Sequence, residues 1–90
     1  MSWSGRVVFS GTLNKGDTNK LKEFLENWFN NVELDKYYNE IYCDEIGTFN
    51  YSFIDDFKEA FTKFKKENEI DGDFELIVYY FDEPDEEYKL

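Results

Sequence analysis

The chain has 90 residues, a formal net charge of −11, and aromatic side chains at 21% of its positions, with one cysteine and no histidine. These counts exclude histidine-based catalytic triads, thiolate zinc sites and iron–sulfur clusters, and the high aromatic content is unlike that of disordered acidic segments. Residues 32–90 carry eighteen Asp and Glu against six Lys and Arg, a charge that disfavours direct binding to nucleic acid and to anionic membranes.

A strand and a helix are predicted at the start of the chain. Val7 and Phe9 alternate with neighbours on the other face, as in a strand with one buried side. A helix follows, with Asp17 or Thr18 at its N-cap. Its apolar residues recur at helical spacing and form one wide stripe, whose aromatic members we interpret as core residues: Leu21, Phe24, Leu25, Trp28, Phe29 and Val32.

Three more strands and a second helix are predicted in the rest of the chain. Alternation predicts strands over residues 37–43, 48–53 and 74–81, with residues 44–47 as the hairpin loop between the first two. Helical spacing predicts a helix over residues 57–64. Residues 37–43 also have a second interpretation, as a partly helical segment.

The predicted order is β-α-β-β-α-β, which in an α+β protein is the ferredoxin-like arrangement of two helices on one face of a four-stranded antiparallel sheet. The expected strand order is 4-1-3-2, with strands two and four at the edges. We expect one domain over residues 1–90, ending in an acidic tail over 82–90. The core is expected to contain Leu21, Leu25, Trp28, Phe57, Phe61, Phe64, Val7, Phe9, Ile41, Phe49, Tyr51, Leu76 and Val78.

The residue types favour a binding protein over an enzyme, with no cofactor and no metal. The acids from Asp71 to Asp82 have the length of a calcium loop, but Leu76 occupies the position where such a loop needs glycine. An RNA-binding sheet would place aromatic residues on its central strands. Here the open face of those strands is predicted to carry Ser10, Thr12, Asn50 and Ser52, so direct RNA binding is not expected.

The predicted partner-binding site is the open face of strand four, together with part of strand two. In strand four, an apolar segment lies between carboxylates at both ends, and apolar anchors inside a charged rim are typical of protein interfaces. The candidate residues are Glu40, Tyr42, Asp73, Glu75, Ile77, Tyr79, Phe81, Glu83 and Asp85. An alternative is that the apolar part is covered by the chain termini or by a second copy, in a homodimer.

The favoured function is that of a small cytoplasmic protein that inhibits a basic partner, such as a nuclease or another nucleic-acid-binding protein. Membrane binding is not expected, since the sequence has no apolar run of the ~20 residues needed for a span and no signal-peptide pattern. In size and charge the chain resembles DNA mimics, anti-CRISPR proteins and nuclease immunity proteins, although no motif links it to one family. The alternative is a self-associating ferredoxin-like domain that has a regulatory or small-ligand-binding role and whose charge serves only solubility.

Overall fold

The computed structural model describes residues 2–90. In this part of the chain, five strands and two helices occur in the order β1 (Ser2–Lys15), α1 (Thr18–Glu26), β2 (Asn31–Asp35), β3 (Glu40–Asn50), α2 (Phe53–Glu67), β4 (Asp71–Tyr80) and β5 (Glu86–Lys89). The strands form one sheet in the order β2-β3-β1-β4-β5, and every neighbouring pair is antiparallel. The predicted α+β class, with one antiparallel sheet and two helices, is confirmed.

The four-strand ferredoxin-like topology is wrong. The sheet has five strands, and its order differs from 4-1-3-2 because β5 lies outside β4, which is therefore not an edge strand. After β4 the chain bends, passes Pro84 and returns antiparallel, so β5 lies within the segment 82–90 that was predicted to be an acidic tail. Tyr88 and Leu90 pack against the core and hold the new edge in place.

The hairpin between β2 and β3 lies at residues 36–39, not at the predicted 44–47. The Asp35 carboxylate accepts hydrogen bonds from the backbone amides of Tyr37 (2.9 Å) and Tyr38 (3.3 Å), and Asn39 adopts a left-handed φ of 54°. Aspartate and asparagine stabilise turns in these two ways. The turn therefore prevails over the β propensity of the two tyrosines, and the predicted strand over 37–43 is wrong in its first half.

The predicted loop 44–47 lies inside β3. β1 is fourteen residues long and pairs with β3 without interruption from Ser2↔Asn50 to Thr12↔Glu40. Gly47 lies opposite Gly5 in this ladder and makes no turn. Two predicted strands, over 37–43 and 48–53, are thus replaced by one, and no part of 37–43 is helical.

α1 begins where the sequence predicts and ends earlier. The Asp17 carboxylate caps it by accepting from the amides of Asn19 (2.8 Å) and Lys20 (3.2 Å). The helix ends at Glu26, and Val32 belongs to β2. Phe29 is nevertheless buried, and the Trp28 ring contacts those of Phe53 and Phe57. The interpretation of these two aromatic residues as core is confirmed.

Both helices pack on the face of the sheet to which Phe9 points. The Phe9 ring centroid lies 5.2 Å from that of Phe61 and 5.6 Å from that of Phe57, both in α2. Phe24 of α1 stacks on Phe64 of α2 at 4.4 Å. The predicted core is mostly confirmed, with Trp28 and Phe64 at its edge. Tyr51 was wrongly included: its side chain is 71% exposed, in the turn before α2.

None of the helices within residues 2–90 combines the length and the apolar composition that crossing a membrane requires.

Candidate protein-binding face of the sheet

One face of the sheet is not covered by α1 or α2, and we call it the open face. Residues directly opposite one another in antiparallel strands point to the same side. Since Phe9 points toward the helices, its neighbours Val8 and Ser10 point away, and the register assigns their cross-strand partners to the same face. Its members are Asn31, Glu33, Asp35, Glu40, Tyr42, Asp44, Ile46, Thr48, Asn50, Ser2, Ser4, Arg6, Val8, Ser10, Thr12, Lys15, Asp71, Asp73, Glu75, Ile77, Tyr79, Glu87 and Lys89.

Around Thr12 the open face is acidic. Thr12 lies opposite Glu40 on β3 and Asp73 on β4, and Glu40 lies opposite Asp35 on β2. These carboxylates and that of Glu33 are solvent-exposed. Within the part of the chain that the structure describes, none of the four forms a salt bridge. We call these four residues the acidic half of the face: Glu33, Asp35, Glu40 and Asp73.

Two open depressions lie in and beside the acidic half, one on each side of β1. The first, of about 550 Å³, is lined by Glu33, Asp35 and Glu40. The second, of about 590 Å³, is lined by Asp73 and by the Glu75–Lys89 pair. Ser10 and Gly11 of β1 line both depressions, and Thr12 lines the first. The face therefore has space beside carboxylates that have no cation of their own.

The other part of the face is apolar, and we define the apolar half as Val8, Ile46, Ile77 and Tyr79. Val8 is only 7% exposed although it lies outside the helix-side core, and it lies opposite Ile77. Ile46 is 68% exposed. Arg6 lies between Ile46 and Tyr79 in the register, and its guanidinium is 5.7 Å from the centroid of the Tyr79 ring.

Two cations of the open face, Arg6 and Lys89, are paired with carboxylates of the same face. Arg6 donates to Asp44 through Nε (2.9 Å) and Nη2 (2.8 Å), a bidentate geometry that is stronger than a single contact. Hydrogen bonding from Arg6 lowers the pKa of Asp44, and the same bond raises that of Arg6. Lys89 Nζ lies 2.9 Å from Glu75, and this hydrogen bond raises the pKa of Lys89. Neither of these two cations forms its salt bridge with a carboxylate of the acidic half.

The structure brings together six of the nine predicted site residues. The six on the open face are Glu40, Tyr42, Asp73, Glu75, Ile77 and Tyr79. The other three, Phe81, Glu83 and Asp85, lie in the connection between β4 and β5, because β4 ends at Tyr80. The carboxylate beside Ile77 is instead that of Glu87, from β5.

Several residues of the open face were missed by the sequence analysis. Glu33 and Asp35 were missed because the first helix was extended to Val32, although Val32 and Leu34 alternate with polar neighbours as a short strand requires. Glu87 was missed because residues 82–90 were predicted to be an acidic tail and not to contain a strand. The pairing of Arg6 with Asp44 joins residues 38 positions apart, and no local pattern indicates it.

The remaining candidate groups are metal-ligating side chains, one thiol, and the polar residues predicted on the central strands. No group of three or more metal-ligating side chains occurs within residues 2–90. The Cys43 thiol is buried, and burial raises its pKa to about 12, so little thiolate forms at neutral pH. Ser10, Thr12 and Asn50 lie on strands as expected, whereas Ser52 lies at the start of α2 and not on the sheet.

Comparisons of this chain with protein-family models, with curated proteins and with solved structures give no match. The open face is therefore the feature of the molecule from which a function is inferred.

Proposed function

We propose that the chain binds a basic, nucleic-acid-binding protein through the open face and thereby blocks that protein's nucleic-acid site. The acidic half supports this proposal most directly. Its four carboxylates have no intramolecular cation among the described residues, and they lie beside depressions large enough for lysine or arginine side chains. Proteins that bind nucleic acid present clustered lysine and arginine to the phosphates, and such a cluster complements this surface.

The two halves of the open face have different roles in this proposal. Exposed charges act over a distance and accelerate the encounter of complementary partners. Apolar side chains that become buried in the complex slow dissociation, which is where most affinity differences between related complexes arise. The acidic half therefore steers the partner onto the face, and the apolar half retains it. While bound, the chain occupies the surface that phosphates would otherwise contact.

A second candidate function is self-association through the apolar half. The 68% exposure of Ile46, with Ile77 and Tyr79 partly exposed on the same face, favours it, since exposed apolar surface marks interaction sites. In that case two copies would bring their acidic halves close together, and association would strengthen as salt screens the repulsion. Sedimentation of the isolated protein at low and high salt tests self-association, which should increase with salt. Binding of a basic partner should instead weaken as salt increases.

The main proposal is tested by using the wild-type chain and two matched double variants to capture proteins from a lysate of the cells in which the chain is naturally made. Glu33→Gln with Glu40→Gln removes two charges from the acidic half. Glu23→Gln with Glu59→Gln removes two exposed charges from the helices and gives the same net charge. We expect a nucleic-acid-binding protein to be retained by the wild type and by the helix variant, and lost by the open-face variant.

The captured protein is then purified and offered duplex DNA or RNA in the presence of the acidic chain. The proposal predicts competition, with the nucleic acid displaced in proportion to the acidic chain added. Two results would contradict it: equal loss of the captured protein by both double variants, or a partner that holds its nucleic acid and the acidic chain at the same time.

A further inference from the structure

A third pocket lies away from the open face, at the end of the sheet where β1 begins. β4 ends with Tyr80 opposite Gly5, so Trp3 and Ser4 pair with β3 alone. The gap beside them is a cavity of about 510 Å³, bounded by the turn before α2 and by the bend after β4. Its aromatic lining residues define what we call the aromatic notch: Trp3, Tyr51, Tyr80 and Phe81.

The aromatic notch combines the packed ring of Trp3 with the solvent-exposed rings of Tyr51 and Phe81. The Trp3 ring stacks on Phe49 at 4.7 Å and lies 5.0 Å from Tyr80, and its Nε1 donates to the backbone oxygen of Asn50 at 3.1 Å. At the mouth, the Tyr51 side chain is 71% exposed and that of Phe81 is 65% exposed. Exposed rings beside an ordered tryptophan present π faces, whose negative potential attracts cations.

The charges that line the aromatic notch are all carboxylates among the described residues: Asp82, Glu83 and Glu86. Two of them also affect Tyr80, whose pKa is raised by burial and then by the nearby charges of Glu86 and Glu83. A phenolate is disfavoured there, as expected where the local potential is negative. Rings and carboxylates therefore act in the same direction, toward a positively charged ligand.

We propose that the aromatic notch binds one cationic side chain, the ammonium of lysine or the guanidinium of arginine, carried by the basic partner. The cation lies over the exposed rings while the carboxylates balance its charge, which is how aromatic cages recognise alkylammonium groups. This inference rests on the proposed function for the source of the side chain. It adds a site at the other end of β1 from the acidic half, with a recognition chemistry of its own.

Small probes test the notch without any partner. Nα-acetyl-arginine methylamide and Nα-acetyl-lysine methylamide are titrated into ¹⁵N-labelled protein at constant ionic strength, with neutral Nα-acetyl-norleucine methylamide as the control. The indole N–H resonance of Trp3 is the readout. That of Trp28 is the internal reference, since its ring packs between helix residues and lines no part of the notch. We expect the cationic probes alone to shift the Trp3 signal to saturation.

Matched variants locate the binding. Tyr51→Leu and Phe81→Leu each remove an exposed ring and keep an apolar side chain of similar size. We expect each substitution to lower the affinity for the cationic probes about three-fold or more, as for loss of a solvent-exposed cation–π contact. Tyr37→Leu removes a ring that is even more exposed and does not line the notch, so it should not change the binding of the probes. Circular dichroism checks that all three variants fold. Equal binding of the neutral probe, or no saturable shift of Trp3, would overturn the proposal.

Different results would contradict the notch proposal and the proposed function. Partner binding that survives Tyr51→Leu and Phe81→Leu, but not Glu33→Gln with Glu40→Gln, would remove the notch from the interface and leave the proposed function standing. Saturable binding of the cationic probes, with no basic protein captured by the chain, would support the notch and contradict the proposed function.

Discussion

Phe61 of α2 contacts both the other helix and the sheet. Its ring contacts Phe9 of β1, Phe24 of α1 and Phe74 of β4, and the side chain is fully buried. Replacing it with alanine leaves a cavity that these rings cannot all fill at once. We therefore expect Phe61→Ala to lower the free energy of unfolding by about 3–5 kcal/mol, as measured by urea denaturation.

Tyr37→Ala is the control for this substitution, because its side chain is 85% exposed. Its effect on the free energy of unfolding should stay within about 0.5 kcal/mol. A similar small change for Phe61→Ala would show that the core does not depend on this ring and would contradict the packing described.

The Arg6–Asp44 pair predicts a particular dependence of stability on pH. The pKa of Asp44 is lowered in the folded protein by its hydrogen bonds with Arg6, so the pair stabilises the fold above the unfolded-state pKa of about 3.9. This stabilisation is lost as the pH falls through the lower, folded-state pKa. Between about pH 5 and pH 2, wild-type stability should therefore fall more steeply than that of Asp44→Asn.

Asp73→Asn is the matched control for that comparison, since Asp73 forms no salt bridge among the described residues. Its stability, from urea titrations at each pH, should follow the wild-type slope. Parallel curves for Asp44→Asn and the wild type would show that the bidentate pair contributes no pH-dependent stability.

At the level of elements, the sequence predicts β1, β4 and α2 but fails at the short strands and at β3, which was predicted as two strands joined by a loop. β1, β4 and α2 have several apolar residues at one period, and tertiary contacts do not alter them. β2 and β5 have only five and four residues, too few for a period to be distinguished from the end of a neighbouring element. The turn at 36–39 depends on Asp35 and Asn39, whose side-chain and backbone preferences outweigh the two tyrosines beside them.

The open face was predicted in part for the same reason. Residues on β4 were assigned correctly, because alternation fixes which side chains share a face once the strand is known. Glu33 and Glu87 belong to the short strands and were missed. The aromatic notch depends on the different lengths of β1 and β4, a property of the assembled sheet that no single segment of sequence encodes.

β5 protects the outer edge of β4, and its removal should have two effects. Deleting residues 86–90 removes the packing of Tyr88 and Leu90 on the core and leaves the β4 backbone groups opposite them unpaired. Unpaired edges promote association between sheets. We expect the deleted form to unfold at a lower urea concentration than the full chain. We also expect its sedimentation to depend on protein concentration, unlike that of the full chain.

Tyr88→Ser separates the two effects of that deletion. It removes a packed ring and keeps the backbone ladder of β5, so stability should fall while the protein remains unassociated. If the deleted form has the same stability and the same sedimentation as the full chain, β5 does not protect the edge of β4.

For the whole molecule, the charge distribution predicts that nucleic acid is not a ligand. The formal net charge is −11, and Arg6 and Lys89 on the open face are already paired with carboxylates. At about 150 mM salt, where weak charge effects are screened, we expect no saturable binding to duplex DNA or RNA in fluorescence anisotropy. Saturable binding under these conditions would refute the electrostatic basis of the proposed function.

The most direct test of the central claim is the association rate of the purified basic partner with three forms of the chain. These are the wild type, Glu33→Gln with Glu40→Gln, and Glu23→Gln with Glu59→Gln, each measured by stopped-flow mixing from low to high salt. If the acidic half steers the partner, the open-face variant associates several-fold more slowly at low salt and has a weaker salt dependence. The helix variant, at the same net charge, should match the wild type. Equal rates for the two double variants at every salt concentration would contradict the claim that the open face is the binding surface.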